Sequence, residues 1–531
     1  MIFNRRPGSG FFGLGTATVL AWLAVSGCST LEEIKSPGSA GRPPVLSPDF
    51  SGITVPPNIA PLNFLIQEKG DRYAVEIRSS RGETIRVQGR SAAVRIPIKP
   101  WKRLLAGNAG QPLTLDIFVK NGSDRWIRFD SVTNRIAAEP IDPYVVYRRF
   151  GNLFNDWGKM GIYQRNLEDF DEKPVLLNRQ TMGNCMNCHN FWRHGTDRWL
   201  LHVRKAPGTG MLLSVNGKLV KIDTRTAFNK ASAAYPAWHP SGDRIAFSVN
   251  KLLLFFHSVG EPRDILDRYS DLIVYDIPTN TVTTSPLISS PDRLEVWPEW
   301  SVDGRALYFS SAPRIETFEK PKGGGFAYDK IRYSLMRIGY DPSTGAWGKL
   351  ETVISSAEMG KSIIMPRVSP DGRFLMFVVG DYGQQSFSLA SSDLVLLNLA
   401  TGSRKRLELN SDQSETFHSW SSNSRWLVIT SRRGDGQYAR PYFSHIDSLG
   451  NTTKPFILPQ ENPRYYEKFL EIYNVPEFSR EPIRNSPQSL AHAAFSKALP
   501  AKLDPGVVPG GNAGTANPAG AWSPQPPQKQ K

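Results

Sequence analysis

The chain has 531 residues, 64 of them Lys or Arg and 49 Asp or Glu, for a formal net charge of +15. That length admits two or more domains, and three cysteines are too few for a disulfide framework, so an apolar core must carry stability. No apolar run after the N-terminal region is long enough to cross a bilayer as a helix, and the dispersed basic residues read as solvated surface with a preference for anionic neighbours.

The N-terminus carries an export pattern. Arg5 and Arg6 precede an apolar stretch from Phe11 to Val25, which runs into V-S-G-C. A stretch this short, stopping at small residues, has the form of a cleaved signal rather than a spanning helix. The run Val25-Ser26-Gly27-Cys28 resembles the bacterial lipobox. The resemblance implies removal of residues 1–27, acylation of Cys28 and a membrane held through a lipid anchor. Because Ser29 rather than Asp follows, it also implies an outer-membrane lipoprotein, facing the periplasm or the exterior. An ordinary secretory signal with an incidental cysteine is the alternative. Export argues against nucleic acid as the anionic partner and for a redox partner protein, an envelope component or lipid headgroups. Residues 28–57, rich in Pro, Gly and Ser, read as a flexible leash.

Residues 58–145 alternate apolar and polar positions in R-Y-A-V-E-I-R, T-I-R-V-Q-G, A-A-V-R-I-P-I and L-T-L-D-I-F-V-K, between Gly, Asn and Asp turns. The spacing predicts a small immunoglobulin-like or fibronectin-like β-sandwich.

A repeat governs residues 146–484. Y-P-A-W-H-P-S-G-D-R-I-A-F-S from Tyr235, W-P-E-W-S-V-D-G-R-A-L-Y-F-S from Trp297, M-P-R-V-S-P-D-G-R-F-L-M-F-V from Met365 and F-H-S-W-S-S-N-S-R-W-L-V-I-T from Phe417 share one plan. Each places a bulky residue, a second one three positions on, a tight polar turn and then an alternating apolar run, which is hairpin chemistry. Two further strands follow each segment, so four-strand units recur and predict an all-β propeller of about six blades, with five or seven also compatible. Gly161 to Asn178 reads as the outer two strands of a further unit, which the segment around Tyr465 to Tyr473 would complete. The phrase W-S-P-D-G-R-x-L-x-F resembles the WD-like repeat of the TolB-like propeller family over residues 180 to 460. That resemblance implies the fold and says little about activity. Residues 485–531, rich in Pro, Ala and Gly, read as a disordered tail.

C-M-N-C-H at residues 185–189 has the spacing of a covalent c-type haem site. Cys185 and Cys188 would form the thioethers of one haem c and His189 would be the proximal iron ligand. Zinc would need ligands beyond this motif, such as His194, and a redox dithiol would need a helix start. Aligning Trp192 with Trp238 puts His189 at the position of Tyr235, Trp297, Met365 and Phe417. For the distal ligand, His257 lies on an insertion that could cover the iron, and His202 on the next strand is the runner-up. Met182, His194 or an open site stay in reserve.

These readings combine into an envelope-anchored monohaem cytochrome, moving single electrons or sensing redox state with the propeller as docking platform. The alternative is a TolB-like propeller binding or scaffold protein of the envelope with a structural haem, and a haem peroxidase comes third. No G-x-S-x-G elbow or paired Cys/His nucleophile marks a hydrolase. Asp243, Asp303 and Asp371 recur at turns, where hairpin geometry explains them. An electron carrier or binding protein is therefore expected rather than an enzyme.

Overall fold

The polar turns of the repeat follow their composition. Gly242, Gly304 and Gly372 hold φ of 76°, 70° and 73°, a left-handed geometry open to a residue without Cβ, and each folds the first strand of a unit onto its second. The computed structural model describes residues 32–507 apart from 123–124, 152–158, 205–208, 256–263, 316–327, 386 and 388.

Six sheets share a four-strand antiparallel core. Unit 1 begins with Cys185–Phe191 and Arg198–Arg204, unit 2 with Ala233–Trp238 and Arg244–Phe255, and unit 3 with Arg293–Trp300 and Ala306–Pro313. Unit 4 begins with Ser362–Val368 and Phe374–Gly380, and unit 5 with Glu415–Trp420 and Trp426–Ser431. The closing unit is composite. Its inner strand Glu471–Ser479 pairs with Tyr144–Gly151, followed outward by Gly161–Asn166 and Glu172–Leu177. Inner strands of successive units touch around the ring, and the closing strand meets those of units 5 and 1. The molecule is therefore a β-propeller whose ring is sealed by strands far apart in sequence. The sealing strand starts at Glu471, and Tyr465–Lys468, expected within it, is a helical turn.

The turns are stitched from unit to unit. Arg198 donates to Gly242 O, His239 Nε2 to Gly304 O at 3.1 Å, and Asp371 N to Ser424 Oγ at 3.0 Å. These contacts explain the turn residues as structural.

Ahead of the propeller, a seven-stranded and a three-stranded sheet share one apolar core that runs on into the propeller. Two expectations are corrected here. The segment 28–57 is not a leash where it is described. Gly38–Ser39, Leu46–Ser47 and Thr54–Val55 pair into these sheets, and Phe50 and Ile53 are buried. Its prolines suit extended edge segments, and a few well-spaced apolar residues suffice to dock them. A-A-V-R-I-P-I is mostly not strand. After Ala93–Val94, Pro97 leads into a helix Ile98–Ala106, whose Trp101, Leu104 and Leu105 fall on one face and are buried.

The C-terminal segment is a third correction. Ser486 caps a helix Pro487–Phe495, accepting from Ser489 N, and Leu490 and Ala494 pack on Leu176 and Trp199. Leu499–Pro500 and Lys502–Leu503 then add parallel edge strands to units 1 and 2. Residues that read as low-complexity are small enough for close helix packing. Among the described residues no helix is long and apolar enough to cross a membrane.

Candidate functional site

Every inner strand breaks its ladder at the same point. In unit 1 Asn187 pairs with His202 and Asn190 with Leu200, so two residues face one across a bulge. The first bulge residue has positive φ in all six units: Cys188 (54°), Tyr235 (48°), Trp297 (58°), Met365 (54°), Phe417 (45°) and Val475 (47°). Cys188, rather than His189, therefore occupies the repeat position. Phe191, rather than Trp192, is likewise the equivalent of Trp238, since Phe191 pairs with Trp199 as Trp238 pairs with Ile245. The first unit's turn is one residue longer, which slides everything upstream by one.

The second bulge position holds Pro236, Pro298, Pro366 and Pro476 in four units and His189 and His418 in the other two. Proline is tolerated because the position need not donate to the ladder. The two histidines behave alike. His189 Nε2 donates to Val146 O at 3.3 Å and His418 Nε2 to Met376 O at 3.1 Å, each a carbonyl on the second strand of the preceding unit. Burial pushes His189 down to about 4 and His418 to about 3, so both rings are neutral at neutral pH.

Cys185 is half-buried and Cys188 buried, and both thiols are free. Burial pushes the Cys185 thiol up, against the pull of Arg148 and Arg204. Arg204 Nη2 lies 3.9 Å from Cys188 Sγ. Tyr235 lies in the electrostatic field of the same thiol and guanidinium and stacks on Trp297, ring centroids 3.8 Å apart, with Phe417 beyond at 6.5 Å from Trp297. Aromatic residues from units 2, 3 and 5 thus meet at the axis of the ring, with the cysteines and two arginines beside them.

His202 stands against Phe247 of unit 2, ring centroids 5.7 Å apart, and burial pushes it down to about 3. The Cys188 backbone approaches its ring, yet neither ring nitrogen has an aligned hydrogen-bond partner. His194 meets Phe478 O through Nδ1 at 3.4 Å. Met182 is 72 % exposed on a turn. His257 and Cys28 lie outside the described residues.

A covalent haem c needs both thiols and the following imidazole on one side of the chain. Here Met186 and the His189 ring face the closing unit, whereas Cys188 shares the surroundings of Arg204 and Tyr235. His202 faces unit 2. As folded, these residues do not fit the group, and among the described residues no three His, Cys, Asp or Glu side chains converge as a metal cage.

A second cluster has only a faint signal in the sequence. The residues after the bulge, Asn190, Glu299, Arg367 and Glu477, meet inside the ring. Asn190 Nδ2 donates to Glu477 at 2.7 Å, and Arg367 lies 3.4 Å from Glu477 and 3.7 Å from Glu299. Burial pushes both carboxyls up to about 7. The signal was the residue following the repeat's proline in W-P-E, M-P-R and V-P-E. Arg148 and Arg204 had no such signal, being ordinary strand positions in sequence.

No protein-family model matches the chain, and no curated protein sequence matches it. Among solved structures it is similar to TolB from Acinetobacter baumannii at 13% identity, over 72% of this chain and 85% of that one, with a TM-score of 0.40. A chain of a nidogen/laminin complex is similar at 10% identity, over 63% and 97%, with a TM-score of 0.36. A Synechocystis apocarotenoid oxygenase mutant is similar at 11% identity, over 82% and 97%, with a TM-score of 0.35. With TM-scores below 0.5 these likenesses carry no argument, and the fold rests on the chain's own strand pairing.

Proposed function

We propose that the chain is a propeller binding protein of the bacterial envelope, held by a lipid on Cys28, and that Cys185–His189 belongs to its architecture rather than to a cytochrome centre. One observation carries this reading: His189 does in unit 1 what His418 does in unit 5, where no cysteine pair precedes it. The repeat thus accounts for His189 without iron. The envelope location rests on the V-S-G-C pattern and the apolar stretch before it. A positively charged surface suits anionic components of that compartment.

The cytochrome reading rests on the five-residue motif, and it requires strand 185–191 to leave its register so that His189 can turn to the side of the thiols. Expression with a c-type maturation system, followed by haem staining of a denaturing gel and an absorption spectrum, separates the two. We expect no haem on the denatured chain and no Soret band. Stoichiometric haem that is lost in a Cys185→Ala/Cys188→Ala variant would restore the cytochrome and remove this proposal.

A further inference from the structure

Arg148 and Arg149 are neighbours with opposite surroundings. Arg149 bridges Glu172 and Glu471, the latter at 2.9 Å. Among the described residues Arg148 has no carboxylate partner; its Nη1 reaches Met186 O at 3.4 Å and its guanidinium lies 4.6 Å from the Phe150 ring centroid. Arg204 of unit 1 is in the same position, with a contact to Cys188 Sγ and none to a carboxylate among the described residues. The Nε atoms of both are buried without a hydrogen-bond partner. Both guanidiniums act on the same three groups, Cys185, Cys188 and Tyr235, and Arg204 acts unfavourably on Arg148. Inside the ring the opposite pattern holds, Arg367 being flanked by Glu299 and Glu477.

Two half-buried cations that share one space without a counter-charge among the described residues are costly unless something else supplies it. We propose that Arg148 and Arg204 form an oxyanion-binding site at the inner edge between the closing unit and unit 1, taking a carboxylate or phosphate group of a ligand. Guanidinium is suited to this, since its planar donors match the paired oxygens of either group. Tyr235 stacked on Trp297 and Phe150 beside Arg148 provide apolar surface for the rest of such a ligand. The inference rests on the binding-protein reading and names the chemical class that reading leaves open.

The test is thermal unfolding and titration calorimetry of the full mature chain, with inorganic phosphate in one arm and acetate in the other. Chloride holds the ionic strength constant, and the absorption spectrum of each sample is recorded. A saturable rise in melting temperature with phosphate alone assigns a phosphate ligand, and a rise with acetate assigns a carboxylate. Arg148→Gln and Arg204→Gln should each weaken binding at least tenfold. In oxyanion-free buffer either change should leave the melting temperature unchanged or raised, because one of two like charges is gone. Arg204→Lys keeps the charge without the paired donors and should bind more weakly than wild type while folding normally. No saturable response to either anion, or an undiminished response in the variants, overturns the site. Glutamine variants that melt lower without anion would assign the arginines a structural role and also overturn it. A Soret band would instead count against the binding-protein reading, so the two failures are distinct.

Discussion

His189 and His202 stand on opposite faces of one sheet. The first donates to Val146 O in the closing unit, and the second lies 5.7 Å, centroid to centroid, from Phe247 in unit 2. The bulge makes this unavoidable: Asn190 pairs with Leu200, which shares the face of His202, so strand alternation turns His189 to the other face. One iron cannot be bound by both imidazoles unless the sheet is rebuilt.

The same geometry makes a stability prediction. A buried imidazole with two unpartnered nitrogens costs about 1–3 kcal/mol of desolvation that a hydrocarbon ring would not. His202→Phe, with its ring against Phe247, should therefore leave stability unchanged or raise it by about 1 kcal/mol, after some loss to repacking. Urea unfolding measures this. A loss of more than about 2 kcal/mol would mean that the imidazole is held by a partner in solution.

Leu490 tests the C-terminal segment. It is fully buried against the faces of unit 1 and the closing unit, and Lys221 Nζ donates to Ala494 O at 2.7 Å in the same helix. Leu490→Ala should cost about 2–5 kcal/mol, as for other buried leucines. A disordered tail predicts no change, so a denaturation midpoint equal to wild type would remove the helix from the fold.

How far the sequence could be read follows from what each element depends on. The turns and apolar alternation of units 2 to 5 are local, and they pointed directly to repeated hairpins. In sequence unit 1 reads one residue out of register because Trp192 and the Asp197-Arg198 pair match the repeat well, while the extra turn residue shows only in strand pairing. The Pro-rich segment before Pro57 and the Ala-rich segment after Arg484 are ordered by long-range docking, which composition does not report. The Arg148–Arg204 pair is a product of packing between units. The two residues sit on the second strands of the closing unit and unit 1, which meet only once both sheets have formed.

Cys28 tests the anchor independently of the fold. In the lipobox reading its thiol carries the lipid, so Cys28→Ser should move the protein from the membrane to the soluble periplasmic fraction with an unaltered melting temperature. Membrane fractionation of the variant equal to that of wild type would show that attachment lies elsewhere.

The pH dependence of stability is set by two opposed groups of buried residues. His189, His202 and His418 are pushed down to about 4, 3 and 3, below the unfolded value of about 6.5. Their contribution is complete above pH 6.5 and is lost as pH falls toward 4 to 3, because the unfolded chain takes up protons that the native state refuses. Asp267, Glu299 and Glu477 are pushed up to about 7, and their contribution runs the other way. It is complete below pH 4 and lost as pH rises toward 7, as the unfolded carboxyls ionise first. Each group contributes a slope of about 1.4 kcal/mol per pH unit within its window. Between pH 4.5 and 6.5 the two sets oppose each other, and below pH 4 the histidines act in the same direction as carboxyls held low by hydrogen bonds and ion pairs, such as Asp116 and Asp341. His418→Gln should therefore gain on wild type by about 1.4 kcal/mol for each unit of acidification from pH 6.5. Glu477→Gln should gain by a similar amount per unit as pH rises from 4.5 to 7. Urea unfolding at pH 4.5, 5.5 and 6.5 measures both differences. Differences that do not vary with pH would show that these side chains titrate in the folded chain as they do in the unfolded one.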